Sequence, residues 1–218
     1  MIELDLEQGS LEWHQERAGR VTGTSLKSAL GAKFTIKSGW TIGDKNQQET
    51  LTYELIAERM TEVQIVELNT AAVERGRELE PFAIKHAAIE TGEDYQDCGM
   101  LICESMQDFG FSPDAVVKND GVVIGGLETK CPSSKKHVEY LIKDEIPNEY
   151  YWQVLAPFIC SDSIQWWDFA SYDDRNYEKP LFVKRVNRAD VLEIIEKAKA
   201  ELKQYLKSVC EKHEELVF

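Results

Sequence analysis

The chain has 218 residues, 43% of them hydrophobic and 29% charged, which suits a soluble globular protein of one domain with a sizeable core. Its 39 acidic and 25 basic residues give a net charge of −14. That balance argues against a protein that coats nucleic acid through bulk charge, because backbone binding draws on Lys and Arg.

No apolar run approaches the roughly 20 residues that span a bilayer. The acidic start MIELDLEQGS reads as neither a signal nor a transit peptide, and the expectation is a cytoplasmic protein. Five scattered cysteines, Cys98, Cys103, Cys131, Cys160 and Cys210, form no Cys-x-x-Cys pair, which argues against a disulfide framework or a structural zinc site.

In chain order, SLEW at residues 10–13 carries a helix start, Ser followed by acid in the first turn. RVTGTSLKSALGA then reads as a Gly/Thr/Ser turn feeding a second short helix, and residues 31–47 as a loop. Between residues 13 and 45, six basic side chains (Arg17, Arg20, Lys27, Lys33, Lys37, Lys45) face two acidic ones (Glu16, Asp44). A local positive surface on an acidic body is the expectation there. Helical spacing predicts a helix over 48–61 and another over 70–91, the latter with Leu79, Phe82, Ala83, His86 and Ala87 on one side and Gly92 at its end. Strands are predicted over 94–103, 108–118 and 122–130, with Asn119-Asp120-Gly121 as the turn before the last of these. A helix over 147–160, strands over 164–171 and 181–186, and a final helix over 188–212 follow. The expected fold is α/β (α+β), a mixed central sheet flanked by helices. The whole chain, 1–218, is expected to form one domain with an N-terminal helical part (1–70), a core (71–186) and a C-terminal helix (187–218).

The chemistry concentrates in GFSPDAVVKNDGVVIGGLETKCP, residues 110–132. Successive strand residues point to opposite faces, so Glu128 and Lys130 share one face and Leu127 and Thr129 the other. A hairpin around 119–121 brings Asp114 near Glu128. Two close carboxylates need a proton or a cation between them. A hard divalent ion such as Mg²⁺ takes oxygen ligands and binds through one or two carboxylates plus phosphate. A neighbouring lysine suits the attacking water or the scissile phosphate, so the set fits metal-assisted phosphodiester hydrolysis. Glu-x-Lys alone fits an exposed ion pair on a hairpin equally well; Gly125-Gly126 before it and Cys131-Pro132 after it favour a buried strand that stops abruptly.

SPD…GGLETKCP resembles the signature of the phage lambda exonuclease family, the YqaJ-like viral recombinases of the PD-(D/E)xK nuclease superfamily. Four more blocks resemble that family in the same order: WHQERAGRVTGTS (13–25), RGRELEP (75–81), YYWQVLA (150–156) and WWDFASYDDR (166–175). The resemblance implies a restriction-endonuclease-like core in which Asp114, Glu128 and the Thr129 backbone carbonyl bind metal and Lys130 positions or activates the water. It implies that Glu80, rather than Glu78, is the upstream carboxylate and a further metal contact, and that Gln153 lies near the active centre. Arg17, Thr24 and Ser112 match positions that bind a 5′-phosphate; Thr24 stands where the family has serine, and Ser25 is its rival should the alignment slip by one. Val73 falls where the family has an apolar wedge that parts the duplex end. The fourteen-residue step from Asp114 to Glu128 exceeds the family's, so the extra residues are expected to loop out. Lys135, Lys136 and Lys143 follow the site and line the DNA path or a solvated face.

The activity so implied is a two-metal Mg²⁺-dependent 5′-to-3′ exonuclease, with Mn²⁺ as a substitute. It would act on linear double-stranded DNA, release mononucleotides and leave 3′ overhangs for recombination by strand annealing. A toroidal homotrimer, a single-strand annealing protein as partner, no membrane, and a phage or prophage origin in a host cytoplasm belong to the same implication. The alternatives are a site-specific or structure-specific endonuclease of the superfamily and an inert DNA-end-binding module. The superfamily's iron–sulfur branch would need a C-terminal cysteine cluster, and Cys210 stands alone.

Overall fold

A computed structural model of the chain describes residues 1–62 and 71–217. The organising element is a four-stranded mixed sheet with strand order β6-β7-β8-β9. Its strands are β6 (Ala115–Asn119), β7 (Val122–Lys130), β8 (Trp166–Tyr172) and β9 (Leu181–Asn187). β6 and β7 form the expected antiparallel hairpin, with Ala115 opposite Leu127. Its turn has Asp120 and Gly121 both at positive φ, 49° and 78°, as a two-residue hairpin matching the strand twist requires. The fourteen-residue step does not loop out: the hairpin pairs continuously except for one slip, between Val117 and Lys118, where Ile124 is left unpaired as a one-residue bulge. β7 pairs parallel to β8, with Lys130 opposite Ser171, and β8 pairs antiparallel to β9.

A second sheet orders β1 (Ile2–Leu4), β4 (Met100–Ile102) and β5 (Gly110–Phe111). The strand expected over 108–118 is therefore broken at Ser112-Pro113-Asp114, where Pro113 has no N–H for a ladder. Of the strand expected over 94–103, only Met100–Ile102 is regular, with Gln96 bridged to Val116.

Helices α1 (Leu11–Arg17) and α2 (Leu26–Ala29) match the two short N-terminal helices of the sequence reading. Ser10 caps α1 by accepting from the Trp13 N–H at 3.1 Å. The segment 31–47 is not the expected loop. It holds a hairpin of β2 (Lys33–Thr35) and β3 (Gly39–Thr41), then the Asp44 cap and first turn of α3 (Lys45–Thr61). Nor is the surface around it freely positive, since Arg20 pairs with Glu16, Lys33 with Asp44 and Lys45 with Glu201.

Helix α4 (Ala71–Thr91) ends at Gly92, whose φ is +75°. Residue 70, the expected start, lies outside the described residues. Its buried face differs from the predicted one: Ala83 and Ala87 are buried, while Phe82 and His86 are exposed. Ala87 packs with Ala115, Leu127 and Ala170, with Ile84 alongside; small side chains let the helix lie close to the sheet. Helix α5 (Ser134–Lys143) is an element the sequence reading did not contain, and α6 (Tyr151–Cys160) begins four residues later than expected. The final helix α7 runs over Arg188–Val217.

The main core lies on the opposite side of the sheet from α4. There Trp152, Leu155, Phe158 and Ile159 of α6 and Ile195, Leu202 and Leu206 of α7 pack with Val116, Trp167 and Phe169. Gly125 and Gly126 are required by the tryptophans of β8. A Cβ on Gly126 would stand 2.6 Å from Trp167 Cζ3 and 2.7 Å from the Ala115 carbonyl oxygen. Gly126→Ala is expected to destabilise the fold by about 1–3 kcal/mol, as a shift of the urea midpoint at unchanged slope.

Candidate active site

Strand alternation fixes the site. Leu127 faces α4, so Glu128, opposite Phe169 in the ladder, faces the main core beside α6. A core residue is expected there, and a carboxylate 4% exposed stands instead. Lys130 comes next on that face, donates to Glu128 Oε1, and holds its ammonium 5.3 Å from the Tyr150 ring centroid. Asp114, one residue before the ladder begins, accepts from the Thr129 N–H at 2.5 Å and the Thr129 hydroxyl at 2.8 Å, both on Oδ2. In an extended strand a residue's N–H and C=O leave on the same side, so the Thr129 carbonyl opens toward Asp114 rather than toward β8.

Glu80 joins from α4. Burial raises its carboxyl to about 7, and the Asp114 charge adds to the rise while Lys130 and Arg77 oppose it. Burial likewise raises Glu128 to about 8, against the pull of Lys130 and with the push of Asp114 and Glu80. The Lys130 ammonium, which burial would weaken, is held above its ordinary value by Glu128 and Asp114. Three carboxyl groups thus share a site with one close ammonium, a crowding relieved either by protons on Glu80 and Glu128 or by a cation.

A second cluster lies beside the first. Val21 is tied to the start of β5: its N–H donates to the Asp108 carbonyl at 2.9 Å and its carbonyl accepts from the Gly110 N–H at 3.1 Å. This sets the Thr22–Ser25 turn next to Ser112. Trp13 Nε1 donates to Ser112 Oγ at 2.9 Å. The Arg17 guanidinium lies 4.1 Å over the Trp13 ring and reaches Thr22 Oγ1 at 3.4 Å, with Thr24 Oγ1 3.0 Å further on. Arg17 is 9% exposed, and its buried Nε has no hydrogen-bond partner among the described residues. Burial draws this guanidinium down to about 10, with Glu58 opposing, so it stays charged at neutral pH.

One cavity of about 590 Å³ contains both clusters. Arg17, Thr24 and Ser112 line it together with Val73, Glu80, Asp114, Glu128, Thr129, Lys130 and Gln153. Ser25 does not: its hydroxyl accepts from the Thr22 N–H at 2.8 Å and donates to the Thr22 carbonyl at 3.3 Å, so it braces the turn while Thr24 faces the cavity. Lys136 is in the wall, whereas Lys135 and Lys143 are not. Sequence reasoning missed Trp13, Arg77 and Tyr150 in this wall. Helical spacing marked the first two, since Trp13 lies four residues before Arg17 and Arg77 three before Glu80.

Residues 12–163 match the family model of the YqaJ-like viral recombinase domain. The chain belongs to this family. Among solved structures, the alkaline exonuclease LHK-Exo from Laribacter hongkongensis is 32% identical, with 95% of this chain and 96% of that chain covered and a TM-score of 0.77. LHK-Exo in complex with dAMP matches equally well, at 31% identity. A phage-related exonuclease from Haemophilus somnus 129PT, 13% identical with a TM-score of 0.56 over 88% of this chain and 96% of that one, shares the fold. No curated protein matches the chain in sequence. The family and the fold together place the mixed sheet and its helices in the PD-(D/E)xK class.

Among the described residues no group of three or more His, Cys, Asp or Glu side chains is placed to hold a metal ion by itself. The oxygens of Asp114, Glu128 and the Thr129 main chain could together hold a hard divalent ion that keeps several waters, since such an ion needs only one or two carboxylates from the protein. No described helix is long and apolar enough to cross a membrane.

The raised carboxyls set a pH dependence. Unfolded Glu ionises near 4.3, whereas Glu80 and Glu128 in the folded chain hold their protons to about 7 and about 8. The native state then binds more protons than the unfolded state across that window, so stability falls as pH rises. Thermal melts in EDTA are expected to show a lower Tm at about pH 8.5 than at about pH 5.5. Glu128→Gln, which cannot ionise, is expected to narrow the difference.

Proposed function

We propose that this nuclease degrades one strand of linear double-stranded DNA from its 5′ end, releases mononucleotides and leaves a 3′ overhang for phage recombination by strand annealing. The observation that carries this reading is the single cavity joining the Asp114/Glu128/Lys130 cluster to a buried arginine with hydroxyls beside it. A phosphate seated on Arg17, Thr24 and Ser112 would share the cavity with the carboxylates, an arrangement that suits an enzyme that counts from an end. Arginine suits the task through paired donors on phosphate oxygens. LHK-Exo has been captured with dAMP, which supports a mononucleotide product here.

In this mechanism Asp114, Glu128 and the Thr129 carbonyl would hold Mg²⁺, with Glu80 as a further contact. The bound metal would supply Lewis-acid stabilisation of the phosphate and a more acidic water. Lys130 orients the attacking water in line with the scissile bond, and its bond to Glu128 keeps the ammonium aimed into the cavity. Thr129 locks Asp114 through two hydrogen bonds to one oxygen, leaving Asp114 Oδ1 for the metal. Val73, also in the cavity wall, would be the apolar wedge that parts the strands of the duplex end. A ring-shaped homotrimer around the duplex and an annealing protein that takes the exposed strand complete the proposal. Enclosure by a ring would let a chain of net charge −14 stay on DNA with little electrostatic adhesion.

The test uses linear duplex with 5′-phosphate or 5′-hydroxyl ends and closed circles, in Mg²⁺ and in EDTA. Metal-dependent loss of the phosphorylated linear strand, absent on circles and in Lys130→Ala, is expected. Cutting of circles would replace the reading with an endonuclease, and binding without cleavage would replace it with an end-binding module. Arg17→Ala is expected to raise KM for 5′-phosphorylated ends by about tenfold, the equivalent of about 1.4 kcal/mol, and to leave the rate on 5′-hydroxyl ends nearly unchanged. Steady-state kinetics on the two substrates check this.

A further inference from the structure

Two stretches of the sequence have no part in the chemistry above: Arg75 of RGRELEP and Asp173–Arg175 of YDDR. The fold brings them together across 98 residues. Asp173, fully buried just past β8, accepts on Oδ1 from Arg75 Nη2 at 3.2 Å and from Arg175 Nε at 2.7 Å. Arg75 Nη2 also donates to Asp174 Oδ1 at 2.5 Å. The same two guanidiniums reach the main chain. Arg75 Nη1 donates to the Cys131 carbonyl at 3.5 Å, and Arg175 Nη2 to the Pro132 carbonyl at 3.2 Å. Those carbonyls belong to the two residues that follow Lys130.

The placement matters because of what each element carries. Arg75 lies on α4, five residues before Glu80. Asp173 follows by two residues Ser171, the ladder partner of Lys130. The Asp173 main chain is itself fixed, its N–H donating to the Pro180 carbonyl at 2.9 Å and its carbonyl accepting from the Asn176 N–H at 3.1 Å. Apolar side chains filling the same space would exclude water as well, and buried ion pairs are seldom the more stabilising choice. They would not hold two carbonyls at set positions, which is what forked guanidiniums do.

We propose that Asp173 is a positioning residue for the nuclease centre. Through Arg75 and Arg175 it clamps the main chain directly after Lys130 and ties it to the helix that carries Glu80. This rests on the nuclease reading given above.

The test uses the full chain as wild type, Asp173→Asn, Arg75→Gln and the double variant, with Lys197→Ala on exposed α7 as control. Residues that orient a metal site from behind its ligands typically set activity or metal affinity by about 10–100-fold. Asp173→Asn is expected to lower kcat on 5′-phosphorylated linear duplex by at least about tenfold, with KM changed less than about twofold. The double variant is expected to be no worse than Asp173→Asn, because both changes open one clamp. Mn²⁺ affinity, measured by calorimetry without DNA, is expected to weaken in the same variants and not in Lys197→Ala. If Tm falls while kcat per folded molecule and Mn²⁺ affinity hold, the clamp is only structural and the proposal is overturned. If the wild type binds Mn²⁺ but cleaves nothing, the nuclease reading falls, and the calorimetry alone decides the clamp. Should Asp173→Asn not fold, Arg175→Gln, whose side chain is half exposed, carries the same expectation.

Discussion

A carboxylate forced into the inner face of a sheet constrains everything built around it. Glu128 occupies a position where its neighbours on the same face pack against tryptophan and phenylalanine. Burial of that charge is tolerated because Lys130 stands two residues on, and because the strand ends there, at the rim of the cavity. Asp114 and Glu80 crowd the same place, and their repulsion raises the Glu128 carboxyl further. Natural sites give up stability in this way when a ligand is meant to relieve the crowding. The bulge at Ile124, the two glycines under the tryptophans and the alanine face of α4 all serve to bring this strand to the right place and depth.

How much of this was readable in the sequence depends on whether a residue's role is local. The period of two along GGLETK put Glu128 and Lys130 on one face, and the Asn-Asp-Gly turn put Asp114 near them, one residue before the ladder that begins at Ala115 opposite Leu127. The β2–β3 hairpin was not readable, since Lys33–Thr35 is exposed throughout and shows no buried alternation. Helix α5 did carry a signal, with Ser133 as its cap and a polar first turn, but the run of lysines drew the reading toward the DNA path. On α4 the predicted side held the buried Ala83 and Ala87 but was drawn too wide: close helix–sheet approach selects alanine, and Phe82 stays outside.

The anion cluster shows the limit more clearly. In sequence Arg17 is one of six basic side chains in a positive stretch. In the fold its guanidinium lies over Trp13, whose indole in turn donates to Ser112, 99 residues away. The net charge of −14 likewise hides the local picture. Arg17, Arg77, Lys130 and Lys136 converge on one cavity, while the basic residues of the N-terminal hairpin region are largely spent on nearby acids.

The long sequence separations have a consequence for the order in which the working site comes into being during synthesis. Arg17 leaves the ribosome first, yet its pocket wall waits for Ser112. The Asp114–Lys130 hairpin can close on itself as soon as it emerges, but β8, with which β7 pairs in parallel, begins at Trp166. Local pairings form early and non-local ones late. A nascent or truncated chain would therefore hold the acidic hairpin without the strand that braces it, and the site would be complete only when nearly the whole chain is made.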